Sequence, residues 1–220
     1  MNHHDFWQGK YPESIARTID TNIYPTILDL FKEACRKYAN KPAFSNMGRT
    51  LTFAEVDKYS ATFAAWIQQN TDLQVGDRIA VQMPNLLQYP IVVFGAMRAG
   101  LVIVNTNPLY TAREMEHQFK DAGCKALVTL ANFGQLVQEV LPKTGIRYVI
   151  ISELADMLPF PKRVVVNNIV KYVKKLVPAY HLPMAIPFTQ VMKANPSKLK
   201  DVTLQPDDIA VLQYTGGTTG

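Results

Sequence analysis

Two apolar runs, Asp77-Arg-Ile-Ala-Val-Gln-Met83 and Leu101-Val-Ile-Val104, enclose a stretch with helical spacing of apolar residues at 86–99. Short runs rich in β-branched residues are typical of buried strands. A helix between two such strands is the connection that parallel strands require. The pattern therefore predicts a strand–helix–strand unit.

The same alternation continues toward the C-terminus. Further strands are predicted at 125–130, 147–151 and 209–214, with helical patterns at 111–122 and 132–140. Near-continuous apolar strands are typical of a sheet that helices cover on both faces. We therefore predict an α/β fold with parallel-rich sheets flanked by helices.

Three helix starts are marked by polar residues. Thr52-Phe-Ala-Glu55 and Thr111-Ala-Arg-Glu114 have the spacing of capping boxes, in which each side chain bonds an otherwise unpaired backbone N–H. Thr26-Ile-Leu-Asp29 precedes a third helical pattern, which ends before Pro42.

Composition excludes several classes of protein. With 48% hydrophobic and 19% charged residues in 220, the chain is typical of a soluble globular protein and not of a disordered or fibrous one. Cys35 and Cys124 have no CxxC partner, which argues against a disulfide scaffold and structural zinc, so we predict no metal ligands. Residues 1–12 lack the apolar run of a secretory signal.

The net charge of +5 is concentrated in one segment. Residues 157–200 hold eight Lys or Arg and no acid, whereas the remainder carries 15 basic against 18 acidic residues. The segment also contains six of the 14 prolines, so we predict that this basic Pro-rich segment is irregular and lies outside the core of the sheet. It lacks interleaved stacking aromatics, which argues against nucleic acid as a partner.

Within this segment, residues 164–177 form a two-faced pattern at helical periodicity. Eight apolar residues share one arc, and Lys171, Lys174 and Lys175 share the other. Two interpretations remain open: a basic amphipathic helix on an anionic membrane surface, and a surface helix that packs its valines on the protein's own core. The second is slightly favoured.

The last predicted strand leads into Tyr214-Thr-Gly-Gly-Thr-Thr-Gly220. A Gly/Thr loop directly after a parallel strand suits polyphosphate, because glycine lets backbone N–H groups approach closely and threonine adds hydroxyl donors. It does not fit the GxxxxGK[ST] pattern of a Walker loop. The alternative is a flexible turn.

The stretch from Ile209 to Gly220 resembles the phosphate-loop signature of the AMP-forming, acyl-adenylate-making enzymes. Gly216, where many members have Ser, is similar to the fatty-acyl-CoA ligase branch. Leu51–Glu55 and Phe94–Pro108 resemble two further family segments, and Phe6 to Pro12 is similar to the start of bacterial long-chain fatty-acid CoA ligases. The resemblance runs from about Tyr24 to Gly220 except for 155–200.

This resemblance implies an enzyme that activates a fatty acid with ATP and Mg²⁺ through an acyl-adenylate and transfers the acyl group to CoA. The ATP-contacting positions that it implies are Thr215, Gly216, Gly217, Thr218, Thr219 and Gly220. Tyr214 either places the loop or packs at the strand end. No catalytic residue is assigned, because the family's later motifs have no counterpart here.

The resemblance also implies that residues 1–220 are a partial N-terminal AMP-binding domain, cut within the phosphate-loop motif, with 157–200 as a basic segment inside it. We expect this piece alone to be inactive. Two alternatives remain: another adenylating ligase, for medium-chain, aryl or amino acids, and a non-catalytic membrane-surface module. A cytoplasmic location is expected, with peripheral attachment to the inner face of a bacterial membrane and homodimer formation left open.

Overall fold

The computed structural model describes residues 10–16, 18–20 and 23–215. In chain order the strands are β1 (Pro42–Asn46), β2 (Arg49–Thr52), β3 (Arg78–Gln82), β4 (Val102–Asn105), β5 (Cys124–Leu130), β6 (Tyr148–Ser152), β7 (Ile186–Pro187) and β8 (Val211–Gln213). The helices are α1 (Ile27–Lys37), α2 (Phe53–Asn70), α3 (Gln88–Arg98), α4 (Ala112–Asp121), α5 (Gly134–Val140), α6 (Lys162–Asn168) and α7 (Phe188–Val191).

Six of these strands form one sheet in the order β7-β6-β5-β3-β4-β8, and every pair in it is parallel. Successive residues of β3 face opposite sides of this sheet. Ile79 and Val81 join a core with α1, α2 and α3, whereas Ala80 joins a core with α4 and α5. The predicted parallel sheet with helices on both faces is confirmed.

All three predicted helix starts are capping boxes in the structure. At α2, the Glu55 N–H donates to Thr52 Oγ1 at 3.2 Å, and the Thr52 N–H donates to Glu55 Oε2 at 2.9 Å. Each box pairs backbone donors that the helix itself leaves unbonded.

The basic Pro-rich segment was expected outside the core of the sheet, and this prediction is wrong for part of it. Ile186–Pro187 forms the edge strand β7 beside β6, and Phe188 and Val191 of α7 are buried in the main core. Two residues are too few for a strand to show periodicity in a sequence. The antiparallel hairpin of β1 and β2 was also not predicted.

The helix in the structure differs from the one predicted over 164–177. It begins at Lys162 and ends in a π-helical turn over Ile169–Val173. None of the residues 162–173 is buried, although Val166 and Val170 are half-buried. The slightly favoured interpretation, valines packed together on the core, is therefore wrong for Val165 and Val173, which are exposed.

Cys35 and Cys124 are free and buried. Burial raises the pKa of Cys35 to about 11 and that of Cys124 to about 12, so both stay protonated thiols near neutral pH. Cys35 packs on the core face of α1, as its position in the helical pattern predicts. In the described part of the chain, none of the helices has the length and hydropathy of a bilayer-spanning segment.

Candidate functional site

The end of β8 carries the first residues of the predicted phosphate loop. β8 lies beside β4 with Gln213 in register with Asn105, so both strands end at the carboxyl edge of the sheet. Tyr214 is half-buried and Thr215 is exposed directly after the strand. The predicted contacts Gly216, Gly217, Thr218, Thr219 and Gly220 lie outside the described residues.

Asn105 ties the start of the loop to the rest of the sheet. Its Nδ2 donates to Gln213 Oε1 at 2.9 Å, and its Oδ1 accepts from the Tyr89 hydroxyl at 2.8 Å. Its backbone carbonyl accepts from Gln118 Nε2 at 2.9 Å. Asn105 therefore links β8 to β4, α3 and α4 at the point where the chain turns into the loop.

Further polar side chains lie near Asn105 at the carboxyl edge of the sheet. Gln82, at the end of β3, accepts from the Thr129 hydroxyl at 3.0 Å, and both side chains are buried. The Oε1 atom of Gln118 is buried and has no hydrogen-bond partner among the described residues. In open α/β sheets, ligands bind outside the carboxyl ends of the strands, which is where these polar groups lie.

Tyr214 contacts the protein body. Its hydroxyl donates to the Asp121 carboxylate at the end of α4. Burial, together with that carboxylate, raises the pKa of Tyr214, so the phenol stays neutral. The sequence left two roles open for Tyr214, and this contact favours packing at the strand end, which also holds the start of the loop against α4.

Arg98 lies away from this edge, at the end of α3. Its Nε donates to Ser60 Oγ at 3.0 Å, its guanidinium pairs with Asp57, and it stacks 5.5 Å from the centre of the Phe31 ring. The side chain is only 9% exposed. Arg98 therefore joins α3 to α2 and α1.

We expect Arg98→Met to lower the free energy of unfolding by about 2 kcal/mol, because it removes the bonds that the nearly buried guanidinium makes to Ser60 and Asp57; the half-exposed Asp57 limits the loss. Urea unfolding measures the change. The matched control is Arg36→Met, since Arg36 pairs with Glu33 at 2.8 Å on the exposed surface of α1. We expect the control to change stability by less than about 0.5 kcal/mol. Equal losses in the two variants would contradict the assigned role.

A cavity of about 830 Å³ opens at the opposite end of the sheet. Arg78, Val102 and Ala210 line it, and these residues lie at the amino ends of β3, β4 and β8. It is thus separated from Thr215 by the length of the strands. Among the described residues, neither Tyr214 and Thr215 nor the side chains of the polar edge line it.

The profile of the AMP-binding enzyme family matches residues 31–220. This chain belongs to the AMP-binding enzyme family. The match ends with the Gly/Thr stretch that follows β8, and it includes the whole parallel sheet. The family resemblance drawn from Tyr214–Gly220 is confirmed.

Curated members of the AMP-binding family align over almost all of the chain. The long-chain-fatty-acid–CoA ligase of Escherichia coli O6:H1 is 46% identical over 97% of it, as is that of Haemophilus influenzae, and that of Bacillus subtilis is 33% identical. The chain spans 38% of the length of each of these relatives.

Solved structures of AMP-binding enzymes share the fold at low sequence identity. An anthranilate CoA ligase in complex with anthranoyl-AMP matches 88% of this chain and 32% of its own with a TM-score of 0.70 at 17% identity. A long-chain-fatty-acid-CoA ligase from Archaeoglobus fulgidus matches 88% of this chain and 35% of its own with a TM-score of 0.66 at 22% identity. These likenesses support the fold alone.

Sequence reasoning missed Asn105 and Gln118. Asn105 lies in the Phe94–Pro108 segment that resembles the family. The sequence there indicates only the turn that ends at Pro108. A polar residue at the end of a buried strand was the available signal for Asn105. For Gln118 there was none, because a Gln in an amphipathic helix is ordinarily exposed.

Proposed function

We propose that the full-length protein containing this chain is an AMP-forming long-chain fatty acid–CoA ligase that activates fatty acids for degradation. The observation that carries the proposal is the 46% identity over 97% of the chain to bacterial long-chain-fatty-acid–CoA ligases. A plant 4-coumarate–CoA ligase aligns at only 25% identity over 79%, which favours a fatty acid over an aryl acid.

The proposed reaction has two steps. A carboxylate oxygen of the fatty acid attacks the α-phosphorus of ATP, the bond to pyrophosphate breaks, and an acyl-adenylate forms. The thiol sulfur of CoA then attacks the acyl carbonyl, its proton is lost to solvent, and AMP leaves. In this proposal the Gly/Thr loop from Thr215 to Gly220 binds the β- and γ-phosphates and stabilises charge on the departing pyrophosphate.

The polar edge of the sheet fits a positioning role in this reaction. The Asn105–Gln213 hydrogen bond fixes the end of β8, and the Tyr214–Asp121 contact fixes the residue that precedes Thr215. A loop that is held at its start has less conformational freedom to lose when ATP binds. The described residues contain no group of three metal-ligating side chains, so we assign none of them to Mg²⁺, which would enter with ATP.

We also propose a cytoplasmic protein that attaches peripherally to the inner face of a bacterial membrane, since its fatty acid substrate partitions into lipid. The basic Pro-rich segment, with eight cations and no acid, supports this location. Homodimer formation stays a prediction.

The test is fatty-acid-dependent exchange of pyrophosphate into ATP by the full-length protein, followed by acyl-CoA formation. We expect exchange with palmitate and oleate, weak exchange with octanoate, and none with benzoate or amino acids. Exchange with aryl or amino acids alone would favour another adenylating ligase, and exchange with no acid would favour a non-catalytic module. We expect residues 1–220 alone to give no exchange.

A further inference from the structure

We use the name basic helix for residues 160–177, of which 162–173 are helical, and polar contacts attach this segment to the protein body. Asn167 Nδ2 donates to Glu153 Oε2 at 2.8 Å, and Asn167 Oδ1 accepts from the Ala155 N–H at 2.9 Å. Lys162 Nζ donates to the Met47 carbonyl at 2.9 Å. The inward face of the basic helix therefore combines these polar contacts with the half-buried Val166 and Val170.

The far end of the basic helix is held in the same way. Asn132 Nδ2, at the carboxyl end of β5, donates to the Leu176 carbonyl at 2.8 Å. That bond uses the backbone of Leu176 and leaves its side chain 56% exposed. Attachment at both ends orients the basic helix without fully burying any of its apolar side chains.

Several large apolar side chains of the basic helix consequently face water. Phe160 is 78% exposed, Tyr172 65% and Val173 71%, and the side chains of Val164, Val165 and Ile169 are exposed as well. A surface helix ordinarily does the reverse, with its apolar stripe against the core and its polar face in solvent. Exposed apolar residues that lie together in this way mark an interaction surface.

The charge around these residues indicates what the surface contacts. Lys171, Lys174 and Lys175 are exposed beside Tyr172 and Val173, and Lys171 Nζ lies 5.4 Å from the centre of the Tyr172 ring. No acid occurs between residues 157 and 200. A partner that offers negative charge directly above an apolar layer fits this combination, and an anionic lipid surface has that composition.

We propose that the basic helix is a membrane-contacting element. Phe160, Tyr172 and Val173 enter the headgroup region of an anionic bilayer, and the three lysines contact lipid phosphates. Tyrosine suits this depth, because its ring is apolar and its hydroxyl remains hydrated. The inference extends the peripheral attachment proposed above, and it does not depend on ligase activity.

A second copy of the chain fits the surface less well. Pairing two basic helices face to face would bring six exposed lysines together without an acid from either segment, and like charges at short range repel. A lipid surface instead supplies phosphates to every lysine.

The experiment measures co-sedimentation of the full-length protein, without substrates, with vesicles of phosphatidylcholine alone or mixed with phosphatidylglycerol. We expect binding to the anionic vesicles only, weakening in high salt as the Debye length falls from ~10 Å at 0.1 M to ~3 Å at 1 M. A triple variant with Lys171→Gln, Lys174→Gln and Lys175→Gln should bind about 100-fold more weakly.

The matched control removes the same number of positive charges from a different part of the surface. Lys32, Lys37 and Lys58 are exposed on α1 and α2, and their replacement by Gln should leave vesicle binding unchanged. A double variant with Tyr172→Ser and Val173→Ser keeps every lysine and tests insertion, so it should also bind more weakly. Thermal melting checks that each variant folds, which the exposure of the replaced side chains favours.

Three outcomes would overturn the proposal. The first is that the wild-type protein does not bind the vesicles. The second is that the Lys171/Lys174/Lys175 variant and the control variant lose vesicle binding equally. The third is that the protein self-associates and that only the Tyr172/Val173 double variant abolishes this self-association. Acyl-CoA formation from detergent-dispersed palmitate, measured separately, reports on the ligase proposal. The two proposals can therefore fail independently.

Discussion

Replacing Gly95 by Val is expected to lower the free energy of unfolding by about 3 kcal/mol. Gly95 lies in α3 where this helix crosses α2. A Cβ atom at this position would stand 2.7 Å from Phe63 Cδ1 and 2.9 Å from the Ser60 carbonyl oxygen. Phe63 is fully buried, and the carbonyl belongs to the backbone of α2, so neither can move aside without separating the helices. Urea unfolding measures the loss.

Gly145→Val is the matched control for this prediction. A Cβ atom at Gly145 would meet only the Cys124 carbonyl oxygen, at 3.8 Å, which is an ordinary van der Waals contact. We expect this variant to unfold within about 1 kcal/mol of the wild type. If Gly95→Val were equally mild, the close approach of α2 and α3 would not be a constraint on the fold.

The close contact at Gly95 explains part of the segment Phe94–Pro108, which resembles the family, by helix packing. Gly95 permits the helix crossing, Arg98 joins three helices, and Asn105 links β4 to the strand before the loop. A short segment can thus resemble a family of enzymes for reasons of packing. Of these three residues, Asn105 alone lies at the carboxyl edge of the sheet.

The central strands and the capped helices could be predicted from the sequence, because their signals are local. A buried parallel strand such as β5 is an apolar run, and a capping box such as Thr52–Glu55 spans four residues. The hairpin of β1 and β2 has no alternation of apolar and polar residues in its sequence. Its turn is formed by Met47 and Gly48, which both have positive φ angles.

Other features depend on partners far apart in the chain. Asn105 and Gln213 are 108 residues apart, and nothing in either neighbourhood indicates that they bond. The slightly favoured interpretation of the basic helix was wrong for Val165 and Val173 for a related reason. Helical periodicity separates two faces of a helix but does not indicate which of them packs on the protein. Here Asn167 donates a hydrogen bond to Glu153 on the protein body. That carboxylate, which lies outside the helix, is one of several contacts that hold this face against the body.

Replacing Gly217 by Val in the full-length protein is expected to reduce fatty-acid-dependent pyrophosphate exchange by about 100-fold, the order of loss seen when one preorganised donor no longer reaches the charge that it stabilises. In the proposed function this glycine lets the loop backbone approach the phosphates of ATP, and a branched side chain would block that approach. Thioester formation from supplied acyl-adenylate and CoA should continue, because that step does not involve the β- and γ-phosphates.

Gly145→Val serves again as the control, since it adds the same side chain at a site remote from the carboxyl end of β8. It should leave both steps unchanged. Thermal melting of Gly217→Val should match the wild type, because the proposed role of Gly217 is in ATP binding. Unchanged exchange by a folded Gly217→Val protein would remove the loop from the adenylation step. Loss of thioester formation as well would instead place Gly217 in a role common to both steps, and the phosphate-binding assignment would then be wrong.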